Sequence, residues 1–226
     1  MPKDWNGNKA STFKCLGASN HADHAREVND YYASDPISAE LLLEIEPDLD
    51  NIWECAVGEK HLANVFEKAG KLGRMSDIIN RTDDDRVEIL DFLAKSRGLL
   101  AKNDIWEGDI VTNPPYAFSL PFVKRALELV PVGRKVCMFL KLTFLEGKER
   151  KNFFMENPPK VIYVSSSRIT CAMNGEFYKP KLDKKGNQIL GADGKPIMEK
   201  QSSAVCYAWF VWEKGFKGDP IIKWIN

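Results

Sequence analysis

At 226 residues the chain is long enough to bury one sizeable core and too short for a catalytic domain joined to a large independent one. Its 32 Lys and Arg balance 32 Asp and Glu, so no global field draws it onto a polyanion, and any nucleic-acid contact has to come from a local patch. The five cysteines, at 15, 55, 137, 171 and 206, include no Cys-x-x-Cys pair, and no charged, cleavable leader or apolar run of ~20 residues appears; the expected setting is the reducing cytoplasm, with no membrane, no metal and no disulfide framework.

Residues 1–28 are polar and show no sustained period, which predicts an irregular N-terminal arm. His21, Asp23 and His24 fall close together there, but no fourth ligand accompanies them and they read as solvated loop residues. One domain is expected over 29–226. Asn29 to Pro36 leads into apolar helical spacing at Ile37, Leu41, Leu42 and Ile45, with Ser34 or Asp35 able to cap and Pro36 suited to the first turn. Ile52 to Leu62 predicts a short strand, a turn at Gly58 and a helix carrying Leu62, Val65, Phe66 and Ala69, closed by Gly70. Asp77 lies roughly 20 residues past that turn, where a dinucleotide-type fold puts a ribose-binding carboxylate; only Leu72 and Met75 mark a strand before it, so a turn residue is the other reading. Asp83, Asp84 and Asp85 read as an exposed loop. After Val87, Ile89 and Leu90 comes Asp91-Phe92, either a strand-end pair turned to a ligand or a solvated Asp beside a core Phe.

The stretch Asp109 to Tyr116 joins a buried-strand pattern to a proline-stiffened loop. Pro114 and Pro115 fix two φ angles and remove two N–H donors, and Asn113 is pushed towards an extended conformation. The loop is therefore stiff and rich in acceptors. The Asn113 side-chain oxygen and the Pro114 carbonyl can face one amino group, and the Tyr116 ring offers a flat face to a planar base. Asn157-Pro158-Pro159-Lys160 lacks the aromatic and follows a helical pattern, so it reads as a helix stop. Between the two, Phe122 to Val130 predicts a helix, Val136 to Leu140 a buried strand and Lys148 to Phe154 a basic helix; Val161 to Val164 is again a strand. Such alternation predicts a parallel sheet covered on both faces, with Glu54, Asp77, Asp91 and Asn113 at its carboxyl edge. Residues 174–202 form a Lys/Gly-rich insertion. It is either a solvated loop or a phosphate-contacting arm, with Lys179 and Lys181 for phosphates and Phe177 or Tyr178 to stack on or wedge against bases. Val205 to Trp212 and Ile221 to Trp224 predict two closing strands.

Asn113-Pro114-Pro115-Tyr116 after an apolar strand resembles the signature of amino-group methyltransferases. Tyr32 to Pro36 resembles the aromatic-x-Thr-Pro segment lying over the methionine part of S-adenosyl-L-methionine, with Ser34 for Thr and Asp35 intervening. Glu54-Cys55-Ala56-Val57-Gly58-Glu59-Lys60 resembles the acidic, glycine-bearing cofactor loop whose carboxylate stands near the cofactor's amino group; Cys55 and Lys60 depart from it, Lys60 replacing a glycine. Asp91-Phe92 resembles the pair that contacts the cofactor's adenine, and Arg168-Ile169, ending the strand from Val161, also suits the pattern. In this order, over residues 29 to 212, the elements resemble the small phage- and prophage-type N6-adenine DNA methyltransferases. The resemblance implies a Rossmann-like seven-stranded class I methyltransferase sheet, mostly parallel, with an antiparallel C-terminal edge. It also implies S-adenosyl-L-methionine as cofactor and a flipped-out adenine in DNA as substrate, held by Asn113, Pro114, Pro115 and Tyr116. Tyr32, Pro36, Glu54, Ala56, Gly58, Asp77, Asp91 and Phe92 would bind the cofactor. Adenine in RNA, a glutamine amide in protein, or binding without catalysis are the rival functions, and a homodimer or a separate specificity subunit are the partners to expect.

Overall fold

The computed structural model describes residues 33–94, 105–172, 175, 177–201 and 205–226; the expected arm at 1–28, with His21, Asp23 and His24, and the expected cofactor residue Tyr32 lie outside them. Strand β1 (Ala33–Ser34) leads into helix α1 (Ile37–Ile45). The Asp35 carboxylate accepts the Ile37 N–H at 3.1 Å and so holds the turn in which the helix begins. There follow β2 (Ile52–Glu54), α2 (Ala63–Lys68), β3 (Leu72–Asp77), β4 (Val87–Ile89), β5 (Ile110–Thr112), α3 (Ser119–Leu129), β6 (Lys135–Lys141), α4 (Lys148–Glu156) and β7 (Val161–Ser165). β8 (Cys171–Ala172) pairs back onto β1, β9 (Tyr178–Pro180) pairs with β10 (Met198–Lys200), and β11 (Tyr207–Glu213) and β12 (Ile221–Ile225) end the chain. Asn157 does close a helix, its N–H donating to the Phe153 carbonyl at 2.7 Å. Arg168-Ile169 lies past the end of β7, which stops at Ser165.

One sheet runs in the order β4-β3-β2-β5-β6-β11-β7-β12, parallel throughout except for β11, which is antiparallel to both β6 and β7. The expected α/β class and mostly parallel sheet are present, with two differences. Among the described residues the sheet has eight strands where seven are expected, and the antiparallel strand is interior, while the C-terminal edge strand β12 runs parallel to β7. The expected antiparallel edge does not form because both flanks of β11 already carry ladder partners. The next strand has to cross β7 to find a free edge, over a connection turned at Gly215 with φ +93°.

Strand alternation divides the core between the two faces of the sheet. Val136, Met138 and Leu140 of β6 join Ala208, Phe210 and Trp212 of β11 on the face covered by α3 and α4. Cys137 and Phe139 join Tyr207, Trp209 and Val211 on the face covered by α1 and α2. Trp209 is fully buried, and its indole N–H donates to the Ser38 carbonyl of α1 at 2.8 Å. Trp209→Ala should destabilise the protein by about 3–5 kcal/mol, read as a lower urea midpoint at unchanged slope. A loss of less than ~1 kcal/mol would mean that the α1 face is not packed through this side chain.

At the lower edge, Asp109 fixes the register of three strands. Its carboxylate accepts the Asp50 N–H at 2.9 Å and the Lys135 N–H at 2.7 Å, tying the entrances of β2, β5 and β6 together. The upper ends of β2 and β5 consequently emerge side by side where the chain order reverses, the crevice in which open α/β sheets bind ligands.

Candidate active site

A cavity of about 280 Å³ opens above that crevice, and the strand ends supply its polar groups. Glu54, the last residue of β2, is 2% exposed. Its carboxyl is held by the Ala63 backbone N–H at the start of α2, yet Oε2 has no hydrogen-bond partner among the described residues. Burial pushes its pKa well above the ordinary carboxylate range, and the nearby Asp77 charge pushes the same way. A buried acceptor turned into a cavity with nothing to bind is costly unless a ligand completes it.

The loop after Glu54 is folded onto Asp77, which ends β3. One Asp77 oxygen accepts the Gly58 N–H at 2.9 Å, and the other accepts from the Ile79 N–H at 3.1 Å and Arg81 at 3.0 Å. Gly58 takes φ +55° to make this turn. Lys60, standing where the resembling pattern has glycine, adopts glycine-like geometry at φ +66°. Its ammonium is drawn off to Asp84 and lies 3.9 Å from Glu67, so its side chain leaves the cavity clear. Asp84 is thereby more than an exposed loop residue: Arg86 and Lys60 hold its carboxyl far below the usual range. The turn alternative for Asp77 falls away, since it closes a six-residue strand.

Asp91 and Phe92 both line the cavity. The exposed Asp91 carboxylate accepts the Leu93 N–H at 2.9 Å, and the buried Phe92 stacks on Phe122 with ring centroids 5.0 Å apart. The structure holds elements of both readings for this pair, a core Phe whose neighbouring exposed Asp borders the cavity. Ala56 also lines the cavity, while Gly58 acts one shell back through Asp77. Pro36 lies outside the cavity, beside a shallow groove bordered by Glu40 and Glu44; the segment reaches the cavity instead through Ala33 and Ser34 of β1, which pairs with β8 ahead of the helix.

Asn113, Pro114, Pro115 and Tyr116 form the opposite wall. Pro115 is extended at ψ 124°, and its carbonyl accepts the Phe118 N–H at 2.9 Å. The Pro114 carbonyl accepts no hydrogen bond among the described residues, leaving it available to a ligand. The Tyr116 hydroxyl is held among Cys171 and Tyr207, and burial raises its pKa well above the ordinary phenol value. Its ring is less open than the sequence suggests: the Lys141 ammonium stands 4.4 Å from the ring centroid and covers one face. Lys141 ends β6, so it reaches the same edge as Asn113 by the same rule, a placement that the strand boundary alone could have signalled. Arg81 and His61, both lining the cavity, were likewise not among the expected site residues.

The insertion is rooted at this rim. Phe177 packs edge-on against His61 with centroids 5.2 Å apart, and Lys200 pairs with Asp35 at 2.7 Å. Tyr178 and Lys181 are exposed, and Lys179 lies 3.6 Å from Glu199. No three His, Cys, Asp or Glu side chains among the described residues are grouped to hold a metal, and no described helix is long and apolar enough to cross a membrane.

No protein-family model matches the sequence, and no curated protein matches it either. Among solved structures, the methyltransferase subunit of a type I restriction-modification system from Streptococcus thermophilus superposes with a TM-score of 0.53 at 8% identity, covering 84% of this chain and 46% of that one. A chain of a type I R-M system gives the same TM-score at 14% identity, covering 96% and 48%. An S-adenosylmethionine-dependent O-methyltransferase from Thermotoga maritima gives 0.47 at 14%, covering 87% and 70%. The chain spans about half the length of the two type I structures. At these identities the likeness is one of fold, the Rossmann-like methyltransferase sheet.

Proposed function

We propose that the protein transfers a methyl group from S-adenosyl-L-methionine to the N6 amino group of a flipped-out adenine in DNA. The observation that carries this reading is the meeting of Asn113, Pro114 and Tyr116 with Glu54, Asp77 and Asp91 around one cavity at the crevice between β2 and β5.

The residues fit the cofactor. Glu54 offers a buried carboxyl with an open acceptor, suited to an ammonium group. Asp77, held at the foot of the glycine loop, suits ribose hydroxyls, and Asp91 with the Phe92–Phe122 pair suits a flat heterocycle. When bound there, the cofactor supplies an electrophilic methyl group. The chain's own part is to present the amino group. Two acceptors, the Asn113 side-chain oxygen and the Pro114 carbonyl, draw on both N–H bonds and favour a pyramidal nitrogen, which frees its lone pair; positioning and electrostatics then supply most of the rate. Tyr116 sandwiches the extruded base once the Lys141 ammonium leaves its face for a phosphate, and extrusion costs a few kcal/mol. The exposure of Tyr178 and Lys181 on the arm supports contact with bases and phosphates respectively, while Phe177 and Lys179 pack at its root and stem. The type I restriction-modification names of two fold neighbours suit a DNA substrate and a separate specificity subunit.

The test is methyl transfer from labelled S-adenosylmethionine to mixed-sequence duplex DNA, RNA and protein extract, with nucleoside analysis of the product. Label in N6-methyladenine from DNA is the expected result. Label only in RNA or protein would replace the substrate, and no transfer with no cofactor binding would leave a binding protein with this fold.

A further inference from the structure

The arm between β9 and β10 is built on a short internal repeat. Lys181, Ile189 and Ile197 are spaced by eight residues and close a ring of three backbone hydrogen bonds: Lys181 N–H to Ile197 O at 2.7 Å, Ile197 N–H to Ile189 O at 2.8 Å, and Ile189 N–H to Lys181 O at 2.9 Å. The turns between them match. Asp183 N–H donates to Asn187 O and Gly191 N–H to Lys195 O, both at 2.8 Å, while Gly186 and Gly194 take φ +88° and +74°. Three chain segments thus meet in a pseudo-threefold knob whose third limb is the β9–β10 stem.

The residue after each ring position is apolar and exposed: Leu182 at 53%, Leu190 at 57% and Met198 at 52%. Their cross-strand partners are Gln188, Pro196 and Pro180, so equivalent pairing sets all three on the same side of their strands. Around them residues 178–200 carry six lysines against three acidic residues, in a chain of net charge zero. Lys181, Lys184, Lys185 and Lys195 make no ion pair among the described residues. Two of the acidic groups, Asp183 and Asp193, are spent on turn N–H groups.

We infer that this knob is a wedge for duplex DNA, with the apolar trio pressing into the base stack while the unpaired lysines hold phosphates on either side; this rests on the DNA reading above. Apolar side chains flanked by cations meet the two demands of unstacking a base step, a surface that replaces lost stacking and charge that keeps the strands in place. The arm's root, at Phe177 against His61 and Lys200 against Asp35, anchors the stem that carries the knob beside the cavity that would receive the extruded base. The expected wedge is accordingly the trio rather than Phe177, which packs the arm's root against His61.

The experiment compares wild type with the triple variant Leu182→Ser, Leu190→Ser, Met198→Ser on a mixed-sequence duplex and on the same strands kept single. All three positions are exposed, so the melting temperature should hold; Leu190→Lys serves as a second variant if the triple one melts early. Transfer to duplex should fall by about tenfold or more, while transfer to single strands stays within about twofold, because only the duplex has a stack to open. Equal activity on duplex, or an equal fall on both substrates, overturns the wedge while leaving the methyltransferase reading intact. A change from dimer to monomer with duplex transfer unchanged would make the trio a self-association face and equally overturn it. Wild type that labels neither form of DNA sinks the DNA reading itself, and the wedge with it.

Discussion

Asn113→Ala is expected to lower the single-turnover rate of methyl transfer by at least about 10²–10³-fold, with cofactor affinity changed by no more than about threefold. The large effect follows from where the residue stands. Asn113 directly follows Thr112 of β5, which is paired in register with Met138, so its side chain leaves a fixed strand end rather than a mobile loop. Pro114 and Pro115 remove the freedom by which the chain could bring another acceptor to the same point. Losing the amide removes one of two acceptors for the reacting amino group and touches none of Glu54, Asp77 or Asp91, which is why affinity for the cofactor should survive. Asn113→Asp separates the acceptor role from simple space filling: it keeps an acceptor at the position and should retain measurable transfer, ranking between wild type and the alanine variant. Near-normal turnover by Asn113→Ala would sink the proposed mechanism, and equal inactivity of both variants would point to the amide N–H rather than its oxygen.

What the sequence makes legible is whatever a local pattern controls. Unbroken apolar runs at Val136 to Leu140 and Val205 to Trp212 mark buried strands, because successive side chains meet opposite faces of the sheet and both faces are covered. The strand-end placement of Glu54, Asp77, Asp91 and Asn113 follows from parallel topology, and the four line one cavity. Non-local pairing is another matter. Nothing in Val205 to Trp212 tells that β11 slots between β6 and β7, since an interior antiparallel strand and an edge one carry the same period when both faces are covered. Lys141 over Tyr116 and Arg81 against Asp77 are ordinary charged residues until the strand ends are assembled. Pro36 shows the opposite error: the proline starts its helix as the sequence suggests, and Ala33 and Ser34 of β1, paired with β8, line the cavity in its place.

Glu54→Gln should stabilise the protein without ligand and weaken its hold on the cofactor. Burial, helped by the Asp77 charge, keeps the Glu54 carboxyl protonated to higher pH in the folded chain than in the unfolded one. A folded-state pKa raised above the unfolded value means that the native state binds more protons between the two. This contribution to stability is therefore most favourable in acid and declines as pH rises through the ordinary carboxylate range towards the folded pKa. Glutamine has no charge to bury, so the ligand-free variant should melt at the same temperature as wild type near pH 4 and above it at pH 8. The cofactor reverses the preference. Its ammonium would pair with ionised Glu54 in a water-poor cavity, an interaction of about 1.5–3 kcal/mol, so Glu54→Gln should bind about 10- to 100-fold more weakly. Because the carboxyl has to ionise to form that pair, wild-type binding should tighten with rising pH and release a proton, seen in calorimetry as a binding heat that changes with the ionisation enthalpy of the buffer. The variant should show neither. Equal melting at pH 8 would mean that the buried charge costs the ligand-free fold nothing, and equal affinity would take the ammonium away from Glu54, leaving Asp77 and Asp91 as the remaining carboxylates of the cavity to receive it.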